Sequence, residues 1–373
     1  MKLIYNQTLP APPHGRRSWV RPIALMPTAS SYGQQASAQR LYPLAGGIMS
    51  FAEVDIAQKQ EDSLIIQRMS VQDWQEAASD KAEAKRILDN LTKPRPDFAG
   101  LSMATPQIMG IVNATPDSFS DGGQHFDAQD GINGALAMAQ QGATILDVGG
   151  ESTRPGAEPV ARDEEIRRIT PIIEALTAAG HIVSADTRHT NVMAAAGTAG
   201  AQIINDVGGF RDDGAPELMG QMASTDANQG YAIAMHMQGT PETMQKNPSY
   251  DFAPLDVYDW LEERITALTE AGVPLTHIAI DPGFGFGKTP THNLEIINWT
   301  SLYHGLGVPI LIGVSRKSSI AKLSKDEPAD QRLGGSLALT LRAVEQGAQI
   351  IRTHDVAQTV QAISIHQQCL TAG

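Results

Sequence analysis

Residues 144–187 read TILDVGGESTRPGAEPVARDEEIRRITPIIEALTAAGHIVSADT. A short apolar run, TILDVGG, passes through a Gly- and Pro-bearing loop into an amphipathic stretch where Ile166, Ile169, Ile173 and Leu176 recur at helical spacing. Gly180 suits a helix C-cap, and a second apolar run, IVSADT, follows almost at once. The stretch therefore reads strand, loop, helix, strand. Both apolar runs are short and β-branched, as strands covered on both faces of a parallel sheet are.

The same unit repeats outward in both directions. Its apolar runs are QIMGIVN (107–113), TILDVGG (144–150), IVSADT (182–187), IINDV (203–207), YAIAMH (231–236), IAIDPG (278–283), PILIGV (309–314) and IIRTH (350–354). Helical spacing returns in RLGGSLALTLRAVEQG (332–347), through Leu333, Leu337, Leu341 and Val344. Eight strand–helix units over about 270 residues match the size of a (β/α)₈ TIM barrel, an α/β fold. An open doubly wound sheet is the rival.

The remainder of the 373-residue chain is different in kind. Residues 1–100 hold 12 Lys or Arg and 10 Asp or Glu, whereas 101–373 hold 16 and 31, so the net charge of −13 belongs to the second part. We place the boundary in the Pro-rich segment TKPRPDFAGLSMATPQ, read as a linker, giving an N-terminal extension over 1–100 and a barrel over 101–373. In the extension, FAEVDIA and SLIIQRM read as strands and 72–91 as a helix, a small α+β unit without a chemistry-bearing motif.

Composition removes several function classes. Apolar residues make up 42 % and charged residues 18 %, enough for a substantial core. The acidic balance argues against nucleic-acid binding, which needs clustered cations. The one cysteine, Cys369, leaves no partner for an intrachain disulfide or a CxxC metal site. Nowhere do about 18 apolar residues follow one another, so no membrane association is expected and the protein reads as cytoplasmic.

Each apolar run ends at or near a residue able to do chemistry: Asn113, Asp147 with Glu151, Asp186, Asn205, His236, Asp281, Ser315 with Lys317, and Arg352 with His354. A barrel gathers such strand ends at one mouth, whereas an open sheet spreads them along an edge. Singly, each is an ordinary turn or cap residue. Around them, NATPDSFSDGG (113–123) has the oxygen donors to order an anion or hydrated Mg²⁺, and GGESTRPGAEP (149–159) carries Arg154 on a glycine-flanked loop suited to a lid. DPGFGFGKT (281–289) resembles a phosphate loop, but Pro282 stands where GxxxxGK[ST] needs Gly, so we read it as a tight turn presenting Asp281 and Phe286. GVSRKSS and RTHD would form a cationic corner for an anion, opposite the acids and amides. No HExxH or GxSxG is present.

The ordered blocks MGIVNATPDSFSDGG, LDVGGESTRPGA, INDVGG, MHMQGTP, DPGFGFGKT, SRKS and RTHD resemble those of the dihydropteroate synthase family, over roughly 107–366. That resemblance implies a pterin-binding barrel that joins a dihydropterin methyl diphosphate to 4-aminobenzoate. It implies further that Asp186, Asn205 and Asp281 hold the pterin edge with Met235 nearby, and that Lys317 flanks the ring. Thr153, Arg154 and Pro155 would shape the 4-aminobenzoate site, lined by Phe286 and Ser318. Asn113 would help hold Mg²⁺, and Arg352 and His354 the diphosphate. Asp186, Lys317, Arg352 and His354 are the expected catalytic groups, and a homodimer is the expected assembly. A pterin-dependent methyltransferase, a Schiff-base aldolase using Lys288 or Lys317, and a non-enzymatic pterin binder are the competing readings.

Overall fold

The computed structural model describes residues 1–5, 17–28, 40–114, 128–152, 160–225 and 230–372. The repeated units become eight parallel strands: β8 (Gln107–Asn113), β9 (Ile145–Gly149), β10 (Val183–Asp186), β11 (Ile203–Asp206), β12 (Tyr231–Met235), β13 (Ile278–Asp281), β14 (Leu311–Ile312) and β15 (Ile350–Thr353). Their order is β13-β12-β11-β10-β9-β8-β15-β14, and a parallel bridge between Ile280 and Ile310 joins the two ends. The closed ring excludes the open-sheet alternative. Continuous apolar runs were legible because these strands are buried on both faces; all five residues of β9 and all five of β12 are buried.

The helices between the strands are α3 (Ala128–Gln140), α4 (Arg162–Ala178), α5 (Thr190–Thr198), α6 (Ala215–Ser224), α7 (Ala253–Glu270), α8 (Pro290–Asn298), α9 (Ser318–Leu323), α10 (Leu333–Glu345) and α11 (Val356–Thr371). In α4, Ile169, Ile172, Ile173 and Leu176 face the core. Against the strands they close the main apolar core.

Before the barrel come β1 (Lys2–Tyr5), β2 (Trp19–Ile23), β3 (Met26–Pro27), β4 (Tyr42–Pro43), β5 (Met49–Phe51), β6 (Glu53–Gln60) and β7 (Ser63–Ser70), then α1 (Val71–Ala77) and α2 (Lys81–Thr92). They build a four-stranded sheet, β1-β7-β6-β2, and a three-stranded one, β3-β5-β4. The helix expected over 72–91 is thus two helices. Asp80 accepts the Glu83 N–H and starts a new N-cap, which interrupts the first helix.

The Pro-rich segment read as a linker is packed against the barrel. Arg95 is buried and donates to the carbonyls of Asn90, His304 and Val308, and Phe98 is fully buried. The extension is tied down elsewhere by Trp19 Nε1 to Asp259 at 2.8 Å and Lys59 Nζ to Asp256 at 2.6 Å, both on α7. Trp19, Ala57, Leu64 and Ile66 share the apolar core of the barrel. No helix of the described residues is long and apolar enough to cross a membrane.

Candidate active site

The parallel register sets strand ends side by side. Asn113 pairs with Gly149, Asp186 with both Gly149 and Asn205, and Met235 with Asp281. At this mouth Arg352 forms the centre of a charge network. Its Nε donates to Asp147 Oδ2 and its Nη2 to Asp186 Oδ2, both at 2.6 Å, while Asn205 Nδ2 donates to the same Asp147 oxygen at 3.2 Å. Asp147 is wholly buried, and such a carboxylate requires a cation and donors in place of water. It orients two of the expected site residues at once, a role the sequence hinted at only through its position on a strand.

Cations and acids were expected on opposite sides; Arg352 instead stands among the acids. Burial alone would lower its pKa, but Asp147 and Asp186 reverse that and keep the guanidinium charged. Burial pushes the Asp186 carboxyl up, against the pull of Arg352. One oxygen of each, Asp147 Oδ1 and Asp186 Oδ1, is buried without a hydrogen-bond partner, which suits a ligand offering N–H donors.

The opposite wall is the turn after β13. Gly283, Gly285 and Gly287 all have positive φ, and a Cβ at Gly283 would come within 1.9 Å of the His236 carbonyl oxygen. Gly283 N–H donates to Asp281 Oδ1 at 2.7 Å, and burial raises that carboxyl to about 6. The turn is held from beneath by Lys288, a buried amine with Nζ 2.9 Å from His236 Nδ1, 2.9 Å from the Gly283 carbonyl and 3.0 Å from that of Phe286. Such saturation leaves Lys288 a structural tether rather than an exposed nucleophile, which speaks against the Schiff-base reading for this lysine. Lys317 Nζ lies 4.0 Å over the Phe286 ring, so the two line one pocket wall. Phe286 belongs to a small apolar cluster with Met235, Val207, Met237 and Met244, separate from the main core.

The corner expected from GVSRKSS and RTHD is only partly cationic. Arg316, with φ +56°, turns away to an ion pair with Asp355, its Nε 3.0 Å from Oδ2. Burial, reinforced by Arg352, Arg316 and Lys317, drives His354 down to about 3, so it is neutral at pH 7. Its Nδ1 lies 3.0 Å from the Ser315 hydroxyl. Ser318 opens α9, exposed, directly after Lys317.

Asn113 closes β8 with an amide oxygen, a donor type that a hydrated Mg²⁺ accepts. Thr153, Arg154 and Pro155, with the loop acids Asp117 and Asp121, lie outside the described residues. Among the described residues, Glu151, Glu165 and His189 bring two carboxylates and an imidazole within 4.8 Å of one another, but Arg188 already occupies Glu151 with bonds of 2.9 and 3.2 Å.

Residues 109–354 match the family model described as pterin binding enzyme. The chain belongs to the dihydropteroate synthase family of pterin-binding enzymes. It is 42 % identical to the dihydropteroate synthase of Escherichia coli K12 over 274 residues, 73 % of this chain and 94 % of that one. Among solved structures, the Xanthomonas albilineans synthase with 4-aminobenzoic acid superposes with a TM-score of 0.68 at 43 % identity, covering 74 % of this chain and 98 % of that one. The Burkholderia cenocepacia synthase complexed with 7,8-dihydropteroate gives 0.65 at 42 %, covering 73 % and 94 %. The family match begins within β8, at residue 109, and runs past the end of β15, to residue 354.

Proposed function

We infer that this chain is a dihydropteroate synthase, condensing (7,8-dihydropterin-6-yl)methyl diphosphate with 4-aminobenzoate to give 7,8-dihydropteroate and diphosphate, a step of folate biosynthesis. The observation carrying this reading is the network of Asp147, Arg352, Asp186 and Asn205 at one barrel mouth, in a chain of this family. In the reaction the methylene C–O bond breaks, diphosphate leaves with the electron pair, and the arylamine nitrogen forms the new C–N bond and loses a proton. No covalent enzyme intermediate is needed.

Asp186, Asn205 and Asp281 hold the pterin edge, and the unpartnered Asp186 oxygen supports that role. Met235 and Phe286 provide apolar wall, and Lys317 flanks the ring. Arg352 and His354 receive the diphosphate, the first as a charge and the second, being neutral, as a hydrogen-bonding ring. Ser318, Thr153, Arg154 and Pro155 shape the 4-aminobenzoate end. Asn113 would hold Mg²⁺, which when bound supplies positive charge to the departing diphosphate. The methyltransferase alternative has no use for such a corner.

Residues 1–100 then form an accessory extension and 101–373 the catalytic barrel of a cytoplasmic enzyme. A homodimer is the proposed assembly, with exposed Leu294, Leu323 and Ile365 on the helices after β13, β14 and β15 as apolar side chains available to it. Diphosphate release, measured with and without 4-aminobenzoate and Mg²⁺, tests the function. Release that depends on both is expected; release indifferent to the arylamine, or none, contradicts it.

A further inference from the structure

A cavity of about 470 Å³ lies where the extension meets the barrel, and none of the strand-end residues of the mouth lines it. The extension contributes residues 21–25, Pro27, Met49 and Arg68; the barrel contributes Arg342 and Glu345 of α10, the following Gln346, and Leu370 of α11. Three guanidinium groups, those of Arg21, Arg68 and Arg342, line one space in a chain whose net charge is −13.

Each already faces a carboxylate. Asp55, nearly fully buried, takes Arg68 through Nε at 3.0 Å and Nη2 at 3.4 Å and lies 3.8 Å from Arg21 Nη1. Glu345 takes Arg342 at 3.2 Å and also faces His366 at 3.5 Å. Glu53 adds a third, more distant carboxylate acting on Arg68, so the arginines are held by acids that stand behind the cavity wall, apart from Glu345, and not inside the space itself. Arg21 is held by the Asn298 carbonyl at 2.8 Å and by the Trp299 ring at 4.4 Å, yet its buried Nε donates to nothing. Gln346, also on the cavity wall, has a buried Oε1 that accepts nothing. Both atoms are buried behind the wall, and such groups are costly to leave without partners. Burial lowers the pKa of Arg21, against the opposing pull of Asp55. Ile23, Leu25, Met49 and Leu370 make the rest of the wall apolar.

We propose that this crevice binds a small organic anion, an oxyanion head on an apolar body, with the head between Arg21, Arg68 and Arg342 and the body against Ile23, Met49 and Leu370. Guanidinium groups recognise carboxylate and phosphate alike, and the volume suits a compact ligand. Neither the extension nor the barrel holds all three arginines, so the site exists only in the full chain, which assigns a use to residues 1–100.

The test is isothermal titration of the full-length protein with phenyl phosphate and, separately, phenylacetate, on wild type and on Arg342→Glu and Arg342→Gln. Arg342 lies outside the catalytic mouth, so diphosphate release and the thermal midpoint serve as controls for folding. Expected is binding of at least one probe, weakened about tenfold or more by Arg342→Glu and less by Arg342→Gln, with turnover unchanged. The stronger probe identifies a phosphate or a carboxylate head. Absence of binding by either probe, or affinities untouched by Arg342→Glu because the probe sits at the catalytic mouth, overturns the proposal.

Discussion

Glu165, in the first turn of α4, shows how one side chain sets a pH dependence. Its carboxyl has no exposed surface, and burial raises it to about 7. In the unfolded chain the same group ionises near 4.5. Its contribution to stability is therefore full below pH 4.5 and is lost as pH rises through 7, a change of about 3 kcal/mol. Glu165→Gln has no such proton to lose. Its stability relative to wild type, followed by denaturant unfolding, is expected to rise between pH 4.5 and 7 and then level off; parallel curves would contradict the assignment. At this scale the candidate residues could be named from the sequence, because a polar residue ending an apolar run is conspicuous. Their partners could not. That Arg352 bonds Asp147, 205 positions away, and that Arg316 turns to Asp355, depend on strand order and on a positive φ that no local pattern encodes.

At the scale of elements, eight strands were legible because burial on both faces writes continuous apolar runs into the sequence, and the helices because one face alone is buried. The break between α1 and α2 was missed because Asp80 competes as a cap inside an otherwise helical stretch. The DPGFGFGKT turn was read correctly as a tight turn, for the reason that three glycines adopt positive φ there. What the sequence could not reveal is the underside of that turn, where Lys288 gathers the His236 ring and two carbonyls. Gly283→Ala would drive a methyl into the His236 carbonyl and release the N–H that holds Asp281. We expect that variant to stay folded at reduced stability, about 1–3 kcal/mol, and to lose pterin diphosphate affinity more than 4-aminobenzoate affinity. Equal loss of both, read from separate KM values, would place the turn elsewhere in the mechanism.

Over the whole molecule, the extension keeps an apolar cluster of its own but lends Trp19, Ala57, Leu64 and Ile66 to the core of the barrel, and the two parts are pinned by a buried cation. Arg95, held at about 10 by burial, stays charged and satisfies carbonyls on both sides of the junction. Arg95→Ala leaves those carbonyls unpaired, and a loss of about 3 kcal/mol is expected from urea unfolding, in a single transition covering both parts. An unchanged midpoint, or a first transition confined to the extension, would mean the two parts fold independently. The packed junction was invisible in the sequence because two prolines flanking an arginine look like a linker until the surface beneath them is known.

Asp186 stands where all three scales meet: a half-buried carboxylate, at a strand end, at the mouth of the closed ring. Titration of Asp186→Asn and wild type with the pterin diphosphate, with folding checked by circular dichroism, is the most direct test of the pocket. Undiminished unfolding temperature with pterin binding and turnover abolished is the predicted result; a variant that binds the pterin and turns over as wild type does would contradict it.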